Sequence, residues 1–73
     1  MPAFDETPDR LITIKEVSRR VGLGKTMIYR KIAEGTFPQQ YKLSPFAARW
    51  SEAEISKWIS DVKHGFEGKL RKV

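Results

Sequence analysis

The chain of 73 residues has no cysteine, which excludes disulfide staples and thiolate zinc sites. Its single histidine, His64, has no second imidazole with which to share a metal. No apolar run approaches the roughly 20 residues that a membrane span requires. The acidic start, with Asp5, Glu6 and Asp9, is unlike the basic opening of a secretory signal. A phosphate-cradling loop is missing as well. Gly22-Leu23-Gly24-Lys25-Thr26 has the end of such a loop, but neither its first glycine at the required spacing nor the preceding strand. No serine or carboxylate stands at a meaningful spacing from His64, which reads as a residue at a helix end beside the last carbonyls. Glu52 and Glu54, two apart on a helix, point in different directions. An enzyme is therefore the weakest class, no cofactor or metal is implied, and a soluble cytoplasmic protein with no membrane attachment is expected.

What the chain does have is charge, unevenly placed. The net charge is +5. Residues 1–9 carry three acids and no base, whereas Arg10, Lys15, Arg19, Arg20, Lys25, Arg30 and Lys31 stand against Glu16 alone. Residues 10–31 thus read as one basic face, which suits a polyanion partner. A solvated helix surface is the plainer reading of the same charges.

A chain this short is one domain, near the lower limit at which an apolar core offsets chain entropy unaided. Residues 1–9, with two prolines, three acids and no periodicity, read as a flexible leader, and residues 65–73, with two glycines among charges, as a flexible basic tail. That leaves 10–64 as the folded domain. Arg10-Leu11-Ile12 is a short apolar lead-in. Thr13 and Glu16 make a capping box before a helix over about Ile14–Val21, whose Ile14, Val17 and Val21 form a buried stripe while Lys15, Arg19 and Arg20 face away. Gly22 ends that helix, and Gly22-Leu23-Gly24 turns into a second, about Lys25–Glu34, closed by Gly35. Ile28, Ile32 and Leu23 should pack on the first helix.

Lys25, Thr26, Met27, Tyr29, Arg30 and Lys31 then point wholly or partly outward. Lys and Arg bind phosphates or guanine edges, Thr donates or accepts, and Met and Thr methyls meet the thymine methyl. Tyr29 fits a half-buried ring at the helix crossing as well as a hydroxyl on a phosphate. After Pro38, Gln39–Leu43 and Ala47–Trp50 flank Ser44-Pro45-Phe46 as a β-hairpin, a candidate wing with Tyr41 and Leu43 on one face of a half-buried ribbon. Ser51 and Glu54 make a second capping box, before a third helix whose Ile55, Trp58, Ile59 and Val62 repeat at helical spacing through about Lys63. Trp50 and Trp58 read as core anchors in preference to base-stacking platforms. The fold class is mainly α with a small β-hairpin: a winged helix-turn-helix.

Arg10-Leu11-Ile12, Glu16-Val17, Gly22-Leu23, Ile28-Tyr29-Arg30, Ile32, Gly35, Phe37-Pro38, Lys42-Leu43, Trp50, Glu54-Ile55 and Trp58-Ile59 together resemble the AlpA family of prophage regulators over about residues 10–59. Its members are similar to the winged helix-turn-helix of MerR-type regulators and to small phage excisionases. The resemblance implies a DNA-binding transcriptional regulator of a prophage or integrated element, working at the nucleoid, that controls integrase expression or excision. It implies that Lys25–Lys31 enter the major groove of double-stranded DNA while Lys42 and Arg49 approach the backbone. Three positions depart from the family pattern: Gly24 stands where Ser is frequent, Ser44 where Gly is usual, and Phe46 where a basic or polar residue is usual. An apolar tip at Phe46 has three uses, covering the core, contacting a second protomer or wedging between base steps, of which the first two are favoured.

Two further readings compete with a regulator. An excisionase-like architectural protein would bend or coat DNA and contact the integrase, where an activator would meet RNA polymerase. A protein-interaction module without DNA would use Phe46 and the tails. Because one small module buries little surface on DNA, self-association on paired sites is expected.

Overall fold

The computed structural model describes residues 9–70. In chain order these form β1 (Leu11–Ile12), α1 (Ile14–Val21), α2 (Lys25–Glu34), β2 (Tyr41–Ser44), β3 (Ala47–Ser51) and α3 (Glu52–Leu70). This is a winged helix-turn-helix: three helices with a small antiparallel sheet. Of the expected leader only Asp9 lies within the described residues, and of the expected tail only residues 65–70.

Local chemistry sets the helix-turn-helix. The Thr13 hydroxyl accepts from the Glu16 N–H at 3.2 Å, satisfying one orphan donor of α1. Gly22 and Gly35 close α1 and α2 at φ +76° and +81°, the left-handed conformation in which any Cβ is strained. Between the helices the Ser18 hydroxyl donates to the Leu23 carbonyl at 2.6 Å, pinning the turn. Gly24 is the N-cap of α2 and supplies no side-chain cap.

Neither capping box closes from its Glu side. Glu16 turns to Arg19 and Arg20, and Glu54 accepts from the Tyr41 hydroxyl at 2.8 Å. Only the hydroxyl half of each box is made, by Thr13 and by Ser51, which accepts from the Glu54 N–H at 3.1 Å. A cation or a phenol is a stronger partner for a carboxylate than a backbone amide one turn back.

Ile12, Val17, Ile28, Phe37, Trp50 and Ile55 form the core, with Ile14, Val21, Leu23, Ile32, Ala48, Trp58 and Ile59 packed against it. Phe37 comes from the loop after α2, where no periodicity marks it, and meets Trp58 edge-on at 4.7 Å between ring centroids. The Trp58 indole N–H donates to the Thr36 carbonyl at 2.8 Å, so this tryptophan fastens the same loop to α3. Val62, the last residue of the expected stripe, is 41% exposed.

Four features differ from the sequence expectation. Arg10-Leu11-Ile12 is not merely a lead-in, because Leu11 and Ile12 pair with Ser51 and Trp50 and complete a sheet of order β1-β3-β2. The hairpin is offset: its turn shrinks to Pro45-Phe46, and Leu43 is an extra residue between the pairs Lys42–Ala48 and Ser44–Ala47. All four residues of β2 are exposed, where a half-buried ribbon was expected, because the helices pack on β3 and leave β2 as an edge. Lastly α3 runs through Gly65 to Leu70, which places His64 inside the helix and away from any terminal carbonyl. Glycine costs a helix about 1 kcal/mol relative to alanine, a penalty and not a stop.

Asp9 shows how the N-terminal segment is held. One of its oxygens accepts from the Ala53 N–H at 2.9 Å, at the start of α3, and the other from the Ser51 hydroxyl. The Ser51 bond, followed by that of Ala53, holds the Asp9 carboxyl below the ordinary aspartate range, and the Arg10 bond does the same for Glu52. Unfolded, both return to ordinary values near 4. Between the ordinary and the lowered value the unfolded chain binds more protons, so this contribution is complete above the ordinary value and disappears as pH falls through the lowered one. The urea midpoint should hold from pH 7 to about 5 and fall below about 4, with Asp9→Asn flattening the fall. Parallel curves for the two proteins would show that Asp9 has no such role.

Candidate nucleic-acid interface

α2 is anchored by fully buried Ile28 and shows its opposite side to solvent. Lys25, Thr26, Met27, Tyr29 and Arg30 are exposed and Lys31 is half-buried. With 3.6 residues per turn, Thr26 and Arg30 lie a turn apart on the outermost side. The Tyr29 ring is 40% exposed and packs against Trp50 at 6.1 Å between centroids, so it sits at the join of α2 and the sheet. That is the half-buried ring weighed from sequence. Tyr29 and Lys31, two residues apart, are about 200° apart around the helix, which puts Lys31 on the flank away from the sheet. There Lys31 borders an apolar groove floored by Val21, Leu23, Trp58, Ile59 and Val62, with Arg20 and Lys63 also on its rim.

The single basic face expected over residues 10–31 is divided in the fold. Arg10 grips Glu52 with two nitrogens at 3.1 and 3.2 Å. Arg20 reaches Glu52 as well and bonds Glu16 at 3.3 Å, while Arg19 pairs with Glu16 at 3.5 Å. Three of the seven bases are thus balanced by two carboxylates, one of them 32 residues from Arg20 in sequence. These are largely solvated pairs of small individual worth. Their effect is electrostatic, since they remove net charge from the α1 end of the surface. By contrast Lys15 shares a hollow with Lys25, Ile14 and Ser18, extending the basic surface from α2 onto α1. Lys15 is a site component that the sequence reading did not single out, whereas Lys25 beside it already belonged to the outward set of α2.

On the hairpin, Tyr41 faces Arg49 and Lys42 faces Ala48 across the strands. Side chains alternate along a strand, so Lys42 shares the face of Ala48 and core residue Trp50, and Arg49 projects from the other face with Tyr41. The Arg49 guanidinium also donates to the Ala48 carbonyl at 2.9 Å. Lys42 therefore lies on the α2 side of the wing, and Arg49 does not. The Tyr41 hydroxyl, bound to Glu54, is held above its ordinary ionisation range by that carboxylate. Residues 39–51 carry these two bases and no acid. Phe46, at the turn, is 96% exposed. That rules out the core-covering role, since a side chain on a two-residue turn extends past the last residues on which the helices pack.

Among the described residues, no three His, Asp or Glu side chains gather as a metal site, and no helix is long and apolar enough to cross a membrane. The surface chemistry of this fold is thus a basic α2 face beside an acid-free wing.

Comparison with known proteins agrees with that architecture. The family profile described as "Prophage CP4-57 regulatory protein (AlpA)" matches residues 10–63, which span β1 through most of α3. The chain is 33% identical over 71 residues to "Uncharacterized protein ORF88" of Enterobacteria phage P4, covering 92% of this chain and 81% of that protein. No solved structure matches the chain significantly. The matched span contains the whole helix-turn-helix and wing, and the chain belongs to the AlpA family of prophage regulatory proteins.

Proposed function

We propose that this protein is a sequence-reading regulator that binds double-stranded DNA of a prophage or integrated element and acts on integrase expression or excision. The observation that carries the proposal is the outward face of α2, where Lys25, Thr26, Met27 and Arg30 stand exposed on a helix fixed from behind by Ile28. In this reading α2 enters the major groove. Arg30 reads a guanine edge, the Thr26 and Met27 methyls meet thymine, and Lys15 and Lys25 contact phosphates at the helix start. Tyr29 steadies the joint with Trp50 while its exposed edge faces the backbone, and Lys42 holds the adjacent strand. Arg19, Arg20, Lys31 and Arg49 have secondary parts, because two face carboxylates, one borders the groove and one lies on the far side of the wing.

A module of this size covers a short site, so paired or repeated sites are expected, with self-association of protomers along them. Integrase or RNA polymerase would be the protein contacted from such an array.

The test is selection of bound duplexes from a random pool, followed by titration of the selected duplex and a scrambled one at two salt concentrations. A recurring motif, a large affinity ratio and a steep loss with salt are expected, because each neutralised phosphate releases counterions. Equal and salt-insensitive binding to both duplexes would refute it.

A further inference from the structure

The wing tip combines features that the regulator reading leaves unused. A single exposed apolar side chain is ordinary on a protein surface. Phe46, however, is 96% exposed and is held in a fixed presentation. Its N–H donates to the Ser44 hydroxyl at 3.2 Å, Pro45 before it has a locked φ, and the extra residue Leu43 kinks and twists the strand leading to the turn. The hairpin behind it is free of acids, so nothing on it repels a phosphate backbone.

Distance completes the argument. A strand rises about 3.4 Å per residue, so Ala47 lies roughly 10 Å from Trp50, and Phe46 one residue beyond it. Trp50 in turn touches Tyr29 of α2. A helix seated mid-groove lies only about 6 Å from the bounding phosphate strand, half the roughly 12 Å groove width, so this span carries the tip past that strand. With α2 in the major groove, the wing crosses one phosphate strand, passing Lys42 over it, and brings its tip to the neighbouring minor groove.

We propose that Phe46 is a wedge that enters the minor groove and partly unstacks one base step, kinking the duplex toward the major groove. Phenylalanine is among the side chains suited to this, because a flat apolar ring replaces the stacking that the opened step loses. The kinked step should be a pyrimidine–purine step, the kind that unstacks most easily, so Phe46 would add sequence preference at a position with no hydrogen-bond readout. The proposal rests on the DNA reading above and gives the wing of that site a mechanism.

The experiment uses the full chain and the selected duplex, labelled at both ends for energy transfer and carrying the fluorescent adenine analogue aminopurine at successive positions beside the α2 site. Wild type should shorten the end-to-end distance and brighten aminopurine at one step. Phe46→Ala should abolish the brightening, straighten the duplex and weaken binding about tenfold, whereas Phe46→Leu retains part of each. Circular dichroism should be unchanged for both variants, since the side chain packs on nothing. Wild type and Phe46→Ala giving the same bend and the same aminopurine signal would overturn the wedge and leave DNA binding intact. Loss confined to cooperativity on a two-site duplex would also overturn it and assign Phe46 to a contact between protomers. Failure of wild type to bind any selected duplex would instead remove the DNA reading itself.

Discussion

Replacing Trp50 with alanine should cost about 3–5 kcal/mol and leave a poorly folded protein at 37 °C. A chain of this length has a total stability of roughly 4–11 kcal/mol, so one such loss takes from about a quarter to all of the margin. Trp50 is fully buried and joins three parts of the fold. It pairs with Ile12 in the sheet, packs in the core with Ile28 and Ile55 and lies beside the tilted ring of Tyr29. Its removal leaves a cavity that a two-residue strand on one side and an exposed edge strand on the other have little means of closing. The indole Nε1, moreover, is buried without a hydrogen-bond partner among the described residues. An unpaired buried N–H carries a desolvation cost of about 1–3 kcal/mol. Trp50→Phe should therefore lose far less than Trp50→Ala, because it sheds that burden along with some packing. Urea titrations followed by circular dichroism, with Trp58 fluorescence as a second probe, measure both. Similar losses for alanine and phenylalanine would mean that the indole is making a specific contact that the ring area does not explain.

Arg30→Ala should separate reading from mere binding. Arg30 is exposed on the outermost side of α2, so its removal leaves the fold intact. If its guanidinium is bidentate to guanine, the selected duplex loses about 1–3 kcal/mol while a scrambled duplex loses little. Lys42→Ala should behave differently, weakening all duplexes alike and lowering the salt slope by about one, as expected for a single phosphate contact. Arg30→Lys is the telling control. It keeps the charge and loses the planar fork, so it should bind scrambled DNA like wild type and the selected duplex like Arg30→Ala. Competition titrations at two salt concentrations give the loss on each duplex for all three variants and the salt slope. Equal losses on both duplexes for Arg30→Ala would assign Arg30 to a phosphate and move the reading to Thr26 and Met27.

Most of the helix-turn-helix is legible in the sequence, and the reason is range. A cap reaches three residues, a helical stripe repeats within four and a left-handed glycine acts on its own turn. Thr13, Gly22 and Gly35 accordingly mark the helix ends where the structure has them. The outward set on α2 followed from the same periodicity. The wing was legible in outline only. Its two strands alternate weakly, and an extra residue at Leu43 shifts the register in a way that no local pattern announces.

The candidate site shows the same boundary. That α2 is basic was readable in the composition, but which bases remain available was not, because Arg20 meets Glu52 across 32 residues and Arg10 meets it across 42. Likewise the division of Lys42 and Arg49 between two faces depends on strand register, and the exposure of Phe46 on where the helices end against β3.

By itself, then, the sequence determined the helices, their caps, the tight glycine turn and the basic character of the second helix, since each arises from interactions within about one helical turn. Closure of the chain, by contrast, makes Leu11-Ile12 a strand, ties Asp9 to the start of α3, sets Glu52 against Arg10 and Arg20, and leaves Phe46 clear of the core. The pairings among these join residues 32 to 44 positions apart. The free energy that selects them comes from packing around Trp50, which exists only once the chain has closed on itself.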